Sequence, residues 1–251
     1  MHVFITGAST GIGEAIARAF AAPATRLTLV ARRTEQLSAI SKSLECESRV
    51  VTTDLSSSDG IEAILSEAEG ALGPVDVLIN NAGVQNIEQT QTADVESGER
   101  LLRLNLFTPL RLTRAVLPAM LERKSGTIVD VASMAALAPT PGMFYYNASK
   151  AGLAAASESL RGELRGTGVH VVTVYPGIIM TNMGTVGLTK YVSNWAERLQ
   201  PRGDATTLGR LVVRAVETRG DRVIYPAFNH LARHFPATTR WALDHFTPRV
   251  K

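Results

Sequence analysis

Val3-Phe4-Ile5-Thr6-Gly7-Ala8-Ser9-Thr10-Gly11-Ile12-Gly13 decides how the chain is built. An apolar, partly β-branched run meets three glycines, and these lead into the apolar spacing of a helix from about Ile12 to Ala21. That reads as strand, tight turn and helix. The alternation repeats outward. Arg26 to Val30 reads as a second strand, Thr34 as the cap of a helix through Leu44, and Val50 to Thr52 as a third strand. A helix follows near Ile61 to Leu72, then an apolar strand from Val75 to Ile79. Helices are predicted at Glu96 to Arg103 and Thr108 to Arg123, and a strand at Gly126 to Ala132. A long helix opens around Tyr146 and runs to about Arg165, before strands at Val169 to Tyr175 and Val223 to Tyr225.

Continuous apolar strands separated by helices predict a parallel sheet covered on both faces. Right-handed crossovers make it an α/β fold with a single doubly wound, Rossmann-type sheet flanked by helices, which takes ligands beyond the carboxyl ends of its strands. The chain has 251 residues, 45% hydrophobic and 20% charged, and shows no repeat or linker, so one domain over 1–251 is expected. Two stretches stand apart. Residues 178–203 have poor periodicity and read as an insertion or lid on the substrate side. The tail 226–251 carries Phe235, Trp241, Phe246 and several basic residues. Pro236 and Pro248 interrupt it, which favours a lid or subunit interface over a long amphipathic membrane anchor.

Composition excludes several classes. No apolar, uncharged run reaches the ~18 residues of a membrane span, and the N-terminus lacks the basic n-region of a signal peptide. Cys46 is the single cysteine, so no intrachain disulfide forms and a reducing cytoplasm is the expected compartment. The net charge of +3 is spread along the chain without a dense basic and aromatic stripe, which argues against nucleic acid as a partner.

Gly7, Gly11 and Gly13 allow a tight turn and close backbone approach to a pyrophosphate, with Ser9, Thr10 and Ile12 completing a loop that opens a helix N-terminus. The spacing is GxxxGxG, not the common GxGxxG, and a plain strand-to-helix turn would also use glycines. Sites that hold a free ribose 2′-OH place an acid after the second strand. Here Arg32 and Arg33 stand there, with no acid before Glu35. A guanidinium suits a 2′-phosphate, so NADP(H) is the expected cofactor and NAD(H) the second choice; the alternative is a surface arginine that merely begins a helix.

Tyr146 and Lys150 lie four residues apart and share a helical face. A phenol titrates near pH ~10, and a nearby ammonium is expected to lower that value and make Tyr146 a usable acid or base. Tyr145 stands five residues from Lys150 and is expected to face elsewhere.

With these pieces in place, the chain resembles the short-chain dehydrogenase/reductase family. The resemblance rests on Thr6-Gly7-x-x-x-Gly11-x-Gly13, Asp54-Leu55, Asn80-Asn81-Ala82-Gly83, Asn105, Ser133, Tyr146-x-x-x-Lys150, and Pro176-Gly177 with Thr181, all in the family's order. It implies NADP-preferring carbonyl/alcohol interconversion by hydride transfer. Asp54 would contact the adenine with Leu55 beside it, and Asn81, Ala82 and Gly83 would line the adenosine ribose. Pro176, Gly177 and Thr181 would hold the nicotinamide end. Tyr146 would exchange the proton, Lys150 would lower its pKa and bind the nicotinamide ribose, Ser133 would bond the substrate oxygen, and Asn105 would hold a water relaying protons. The family also implies a homodimer or homotetramer, built on the Tyr146 helix and the helix through Leu112 to Met120.

One departure is Thr10, where many NADP-dependent members carry a second basic residue; Arg32 and Arg33 are thus the main discriminators. Two motif positions have plainer readings: Asn80 and Asn81 as turn formers, Asp54 as a helix cap. The expected substrate wall, Met134, Leu137, Met143, Phe144, Ile178 and Met183, is apolar and suggests a lipophilic ketone, aldehyde or alcohol. A 3-oxoacyl thioester reductase, or a non-catalytic NADP(H)-binding regulator, are the alternatives.

Overall fold

The computed structural model describes residues 1–57, 60–192, 200–247 and 250. Its main sheet is parallel throughout, with the order β3-β2-β1-β4-β5-β6-β9. The strands are β1 (His2–Thr6), β2 (Arg26–Ala31), β3 (Glu47–Thr52), β4 (Val77–Asn80), β5 (Gly126–Val131), β6 (Val169–Pro176) and β9 (Arg222–Tyr225). β1 and β4 are wholly buried, as their apolar sequences require, while the edge strand β3 is half-exposed. A minor parallel pair, β7 (Ile178–Ile179) with β8 (Arg202–Gly203), lies beyond β6.

Helices cover both faces. On one face α1 (Gly11–Phe20), α2 (Thr34–Ser43) and α8 (Ala205–Glu217) bury Ile16, Leu37 and Val212 against Val3, Ile5 and Leu29. On the other, α3 (Ile61–Leu72) and α5 (Thr108–Glu122) bury Leu65, Leu112 and Val116 against Phe4, Leu78 and Ile128. Alternate residues of one buried strand thus feed two cores, and each fully buried Leu or Ile contributes roughly 1.5–3 kcal/mol. α1 and α8 approach closely because position 209 is glycine: a Cβ there would sit 2.6 Å from the Ala15 carbonyl oxygen.

The remaining helices are α4 (Val95–Leu102), α6 (Phe144–Glu163), α7 (Asn182–Thr189), α9 (His230–His234) and α10 (Pro236–Phe246). No helix among the described residues is long and apolar enough to cross a membrane.

The structure corrects several sequence expectations. Thr34 does not cap α2; Arg33 occupies the cap position, and the Thr34 hydroxyl hydrogen-bonds the Thr52 hydroxyl on β3 at 3.0 Å. Asp54 does not cap α3, which follows Gly60 in a left-handed conformation; its carboxylate turns the chain locally, accepting from the Ser56 N–H and hydroxyl. The two helices predicted on either side of residue 105 form one path, joined by a π turn at Arg103–Phe107. Pro236 starts α10 instead of interrupting a helix; Pro248 lies outside the described residues. Segment 178–203 contains β7, α7 and β8, with 193–199 outside the described residues.

The chain reverses direction across the sheet between β1 and β4. That switch leaves a crevice at the carboxyl ends of the two strands, where α/β sheets bind ligands.

Candidate active site

Thr6, the last residue of β1, clamps this crevice. Its hydroxyl donates to the Ile79 carbonyl at 3.1 Å and accepts from the Asn81 and Ala82 N–H groups at 2.9 and 3.0 Å. The Asn81 side chain donates back to the Thr6 carbonyl at 2.9 Å and the Gly7 carbonyl at 3.3 Å. Asn81 is therefore a brace between two strand ends, half-buried like Ala82 and Gly83.

The glycine loop needs its glycines for two reasons. Gly7 and Gly11 have φ of +67° and +62°, a region where side chains are strained. Gly13 serves contact: a Cβ there would lie 2.2 Å from the Gly7 carbonyl oxygen, so it closes the loop on itself. Ser9 is buried, Ile12 half-buried and Thr10 exposed. Thr10 caps α1 without a side-chain hydrogen bond, which leaves N–H groups at the helix start free of a protein cap. Across the crevice, Thr181 caps α7 by accepting from the Gly184 N–H at 3.3 Å, and its methyl faces Gly11. Pro176 ends β6 buried, and the Gly177 N–H donates to the Tyr225 carbonyl at 2.7 Å.

At the end of β2, Arg32 and Arg33 are exposed. Arg32 lies 3.9 Å from the Asp54 carboxylate, a loose surface pair. The hydrogen bonds from Ser56 hold the Asp54 carboxyl below its ordinary range. Leu55 is a core residue whose carbonyl accepts from the Thr108 hydroxyl at 2.6 Å.

The proton-handling residues come from three elements. Ser133 follows β5 and its oxygen accepts from the Ala135 N–H at 3.1 Å. Tyr146 and Lys150 project from α6, and all three residues are buried. The Ser133 hydroxyl neighbours the Tyr146 phenol. Lys150 Nζ donates to the Val131 carbonyl at 2.8 Å and lies beside Gly83, whose imagined Cβ would stand 3.5 Å from Nζ and 3.1 Å from Asn105 Oδ1. Tyr145 turns away, with its ring packed on Gly98 of α4 and edge-on to Phe144 at 5.3 Å.

Asn105 sits in the π turn, fully buried. Its amide accepts from the Val84 N–H and donates to the Val84 carbonyl, both at 2.9 Å, and donates to the Ser149 hydroxyl at 3.2 Å. Those bonds commit the side chain to tying the loop after β4 to α6.

The electrostatics correct one expectation. Burial pushes the Tyr146 phenol above its ordinary pKa, opposed by Ser133, so the net shift is the reverse of the lowering expected from Lys150. The reason is desolvation of the anion. Lys150 itself is pulled down to about 8, chiefly by burial and against the attraction of Asp130.

Of the expected substrate wall, Met134, Leu137 and Ile178 are half-buried, while Met183 and Phe144 are largely exposed. Met143 lies under Gln85, whose amide donates to its sulfur at 3.5 Å. Gln85 also borders Gly187 of α7 and was not singled out from sequence, because a lone glutamine in a loop carries no pattern. Thr6 was quoted with the glycine motif, but its clamping of two strand ends depends on contacts with residues 79–82; Asp130, a single acid in an apolar strand, carries no pattern either.

Comparison with known proteins follows this geometry. The family described as short chain dehydrogenase matches residues 1–190. A short chain dehydrogenase of Pseudocercospora fijiensis is 36% identical over 185 residues, covering 72% of this chain and 60% of that protein. A ketoacyl reductase of Nostoc sp. is 32% identical over 228 residues, 88% of this chain and 77% of its own. Among solved structures, a short-chain dehydrogenase from Sphingobium yanoikuyae in complex with NADPH superposes with a TM-score of 0.81 at 28% identity, covering 97% of this chain and 94% of that one. Fold, glycine crevice and sequence relatives agree, and the chain belongs to the short-chain dehydrogenase/reductase family, oxidoreductases that act on CH–OH and carbonyl groups.

Proposed function

We propose that this protein is an NADP(H)-dependent reductase of a lipophilic ketone or aldehyde, with Tyr146 as its proton donor. The observation that carries the reading is the convergence of buried Ser133, Tyr146 and Lys150 beside Gly83, at the same strand ends as the glycine loop. The loop fits a dinucleotide: two positive-φ glycines, an uncapped helix start and a facing Thr181. Arg32 and Arg33 supply the charge for a 2′-phosphate, with Asp54 close enough to orient Arg32.

The nicotinamide, when bound, supplies the hydride. The chain manages the rest. Tyr146 gives its proton to the carbonyl oxygen, and its raised pKa keeps the phenol protonated until that oxygen gains charge. Ser133 steers the same oxygen through its hydroxyl. Lys150, cationic below about pH 8, stabilises the phenolate left behind. Asn105 acts by holding the loop on which Gly83 and Val84 stand. Met134 and Met143 line the substrate side, and Met183 stands exposed on α7. A homodimer through α5 and α6 accords with exposed Phe107 and Leu110.

The test is NADPH oxidation against a panel of ketones, aldehydes and 3-oxoacyl thioesters. Turnover of ketones above thioesters is expected; the thioester alternative draws on the Nostoc ketoacyl reductase relative, and thioester preference would favour it. NADPH binding without turnover on any member would sink the enzyme reading for this chain. The R32S/R33S variant should lose roughly 10–100-fold in NADPH affinity while NADH affinity changes little.

A further inference from the structure

Asp130 lies in the middle of the sheet and is 3% exposed. In register it stands between Asn80 of β4 and Thr173 of β6, so the three side chains form a row on one face of the sheet. A buried carboxyl at this position needs explanation, because an amide would complete the same row without a charge to desolvate.

Its nearest polar neighbour offers a donor to the carboxyl. Asn80 Nδ2 donates to Asp130 Oδ1 at 2.8 Å and to the Thr113 hydroxyl of α5 at 3.1 Å, while the buried Asn80 Oδ1 has no hydrogen-bond partner. The amide thus turns its donor, not its acceptor, towards the carboxyl. The Ser157 hydroxyl of α6 shares a hydrogen bond with the Thr173 hydroxyl at 2.9 Å, at the edge of the same row.

Burial pushes the Asp130 carboxyl above its ordinary range, opposed by the Asn80 hydrogen bond and by two cations of α6, Lys150 and Arg161. Arg161 is engaged elsewhere: it donates to the Val171 carbonyl at 2.9 Å and to the Thr173 hydroxyl, and it pairs with Asp221 at 3.8 Å. Lys150 Nζ bonds a neutral group, the carbonyl of Val131, one residue along the strand from Asp130. Burial thus disfavours the charge on both groups, and each charge is favoured by the other.

We propose that Asp130 is a positioning residue for Lys150, a buried carboxylate that keeps the Lys150 side chain cationic and ready for Tyr146. It acts through Lys150 and touches no substrate. The proposal deepens the reductase reading and rests on it for its catalytic consequence, but the coupling itself is measurable without turnover.

The experiment is a 13C NMR titration of protein labelled at lysine Cε. Lys42, Lys124 and Lys190 are exposed, so the buried Lys150 should give the displaced titration, assigned by its loss in K150R. Wild type should titrate near 8. D130N, nearly isosteric, should lower that midpoint by about one unit, the shift that loss of a close opposite charge produces. S157A, which removes the Thr173 partner and a hydroxyl that lowers the pKa of the Asp130 carboxyl, should lower it less, and carries the test if D130N fails to fold. An unchanged or raised midpoint in the folded variant overturns the proposal. Where turnover exists, the alkaline limb of kcat/KM should move down with the NMR midpoint. A midpoint that falls in a protein with no carbonyl turnover supports the coupling and removes only the reductase reading.

Discussion

Helix α6 treats its two ends in opposite ways. Near its start Tyr146 and Lys150 are buried with their charged forms disfavoured, the phenol pushed up and the ammonium pulled down to about 8. Near its other end Glu158 is satisfied several times over. One carboxylate oxygen accepts from Tyr175 at 2.6 Å, Arg222 at 2.8 Å and Arg233 at 3.0 Å, and the carboxyl is held down to about 2. The same helix thus anchors a charge with ion pairs at one end. At the other it buries two titratable groups that lie in no ion pair among the described residues. Disfavoured charged forms leave Tyr146 and Lys150 able to respond when charge appears beside them. Full partnering makes Glu158 a joint between α6, β6, β9 and the tail helix α9.

The sharpest way to break this comparison is at the functional end. Y146F should lower reductive turnover by about 10²–10⁴-fold while NADPH binding and thermal stability change little. Retained turnover in a steady-state assay would remove Tyr146 from the proton step. At the anchoring end the pattern should invert: E158Q should cost about 1–3 kcal/mol in urea unfolding, with turnover largely preserved.

The pH dependence separates the ends further. Glu158 has a folded pKa below its unfolded value, so its contribution is present above about pH 4.5 and fades as pH falls towards about 2. The stability gap between wild type and E158Q should close over that window in acid unfolding curves. Lys150 acts on the alkaline side: kcat/KM for reduction should decline above about pH 8 with the limiting slope of a single proton, in wild type and E158Q alike. The smallest effect belongs to Y145F. Its ring packs on Gly98 away from Lys150, and turnover should stay within about twofold.

Much of the fold was legible because apolar strands and the glycine loop are local patterns. β1, β2, β4, β5, β6 and β9 announce themselves through runs that only a sheet covered on both faces would bury. β3 was read short because Glu47, Ser48 and Arg49 are polar, and they pair as a strand only because β2 offers an open edge. The π turn at Arg103–Phe107 was invisible, since its cause is the fit of Asn105 against Val84 and Ser149. The Thr34 and Asp54 caps failed in a similar way: each side chain found a nearer partner than a helix N–H, in Thr52 and Ser56.

By itself the sequence determined the strand alternation, the glycine loop, the paired arginines after β2 and the four-residue spacing of Tyr146 and Lys150. These follow from bonding geometry along a few consecutive residues. Only the tertiary structure decided which groups are desolvated and which are satisfied. Dielectric surroundings depend on everything packed around a group, so the raised Tyr146, the lowered Lys150, the Asp130 carboxylate below it and the over-partnered Glu158 emerge only when distant strands and helices meet.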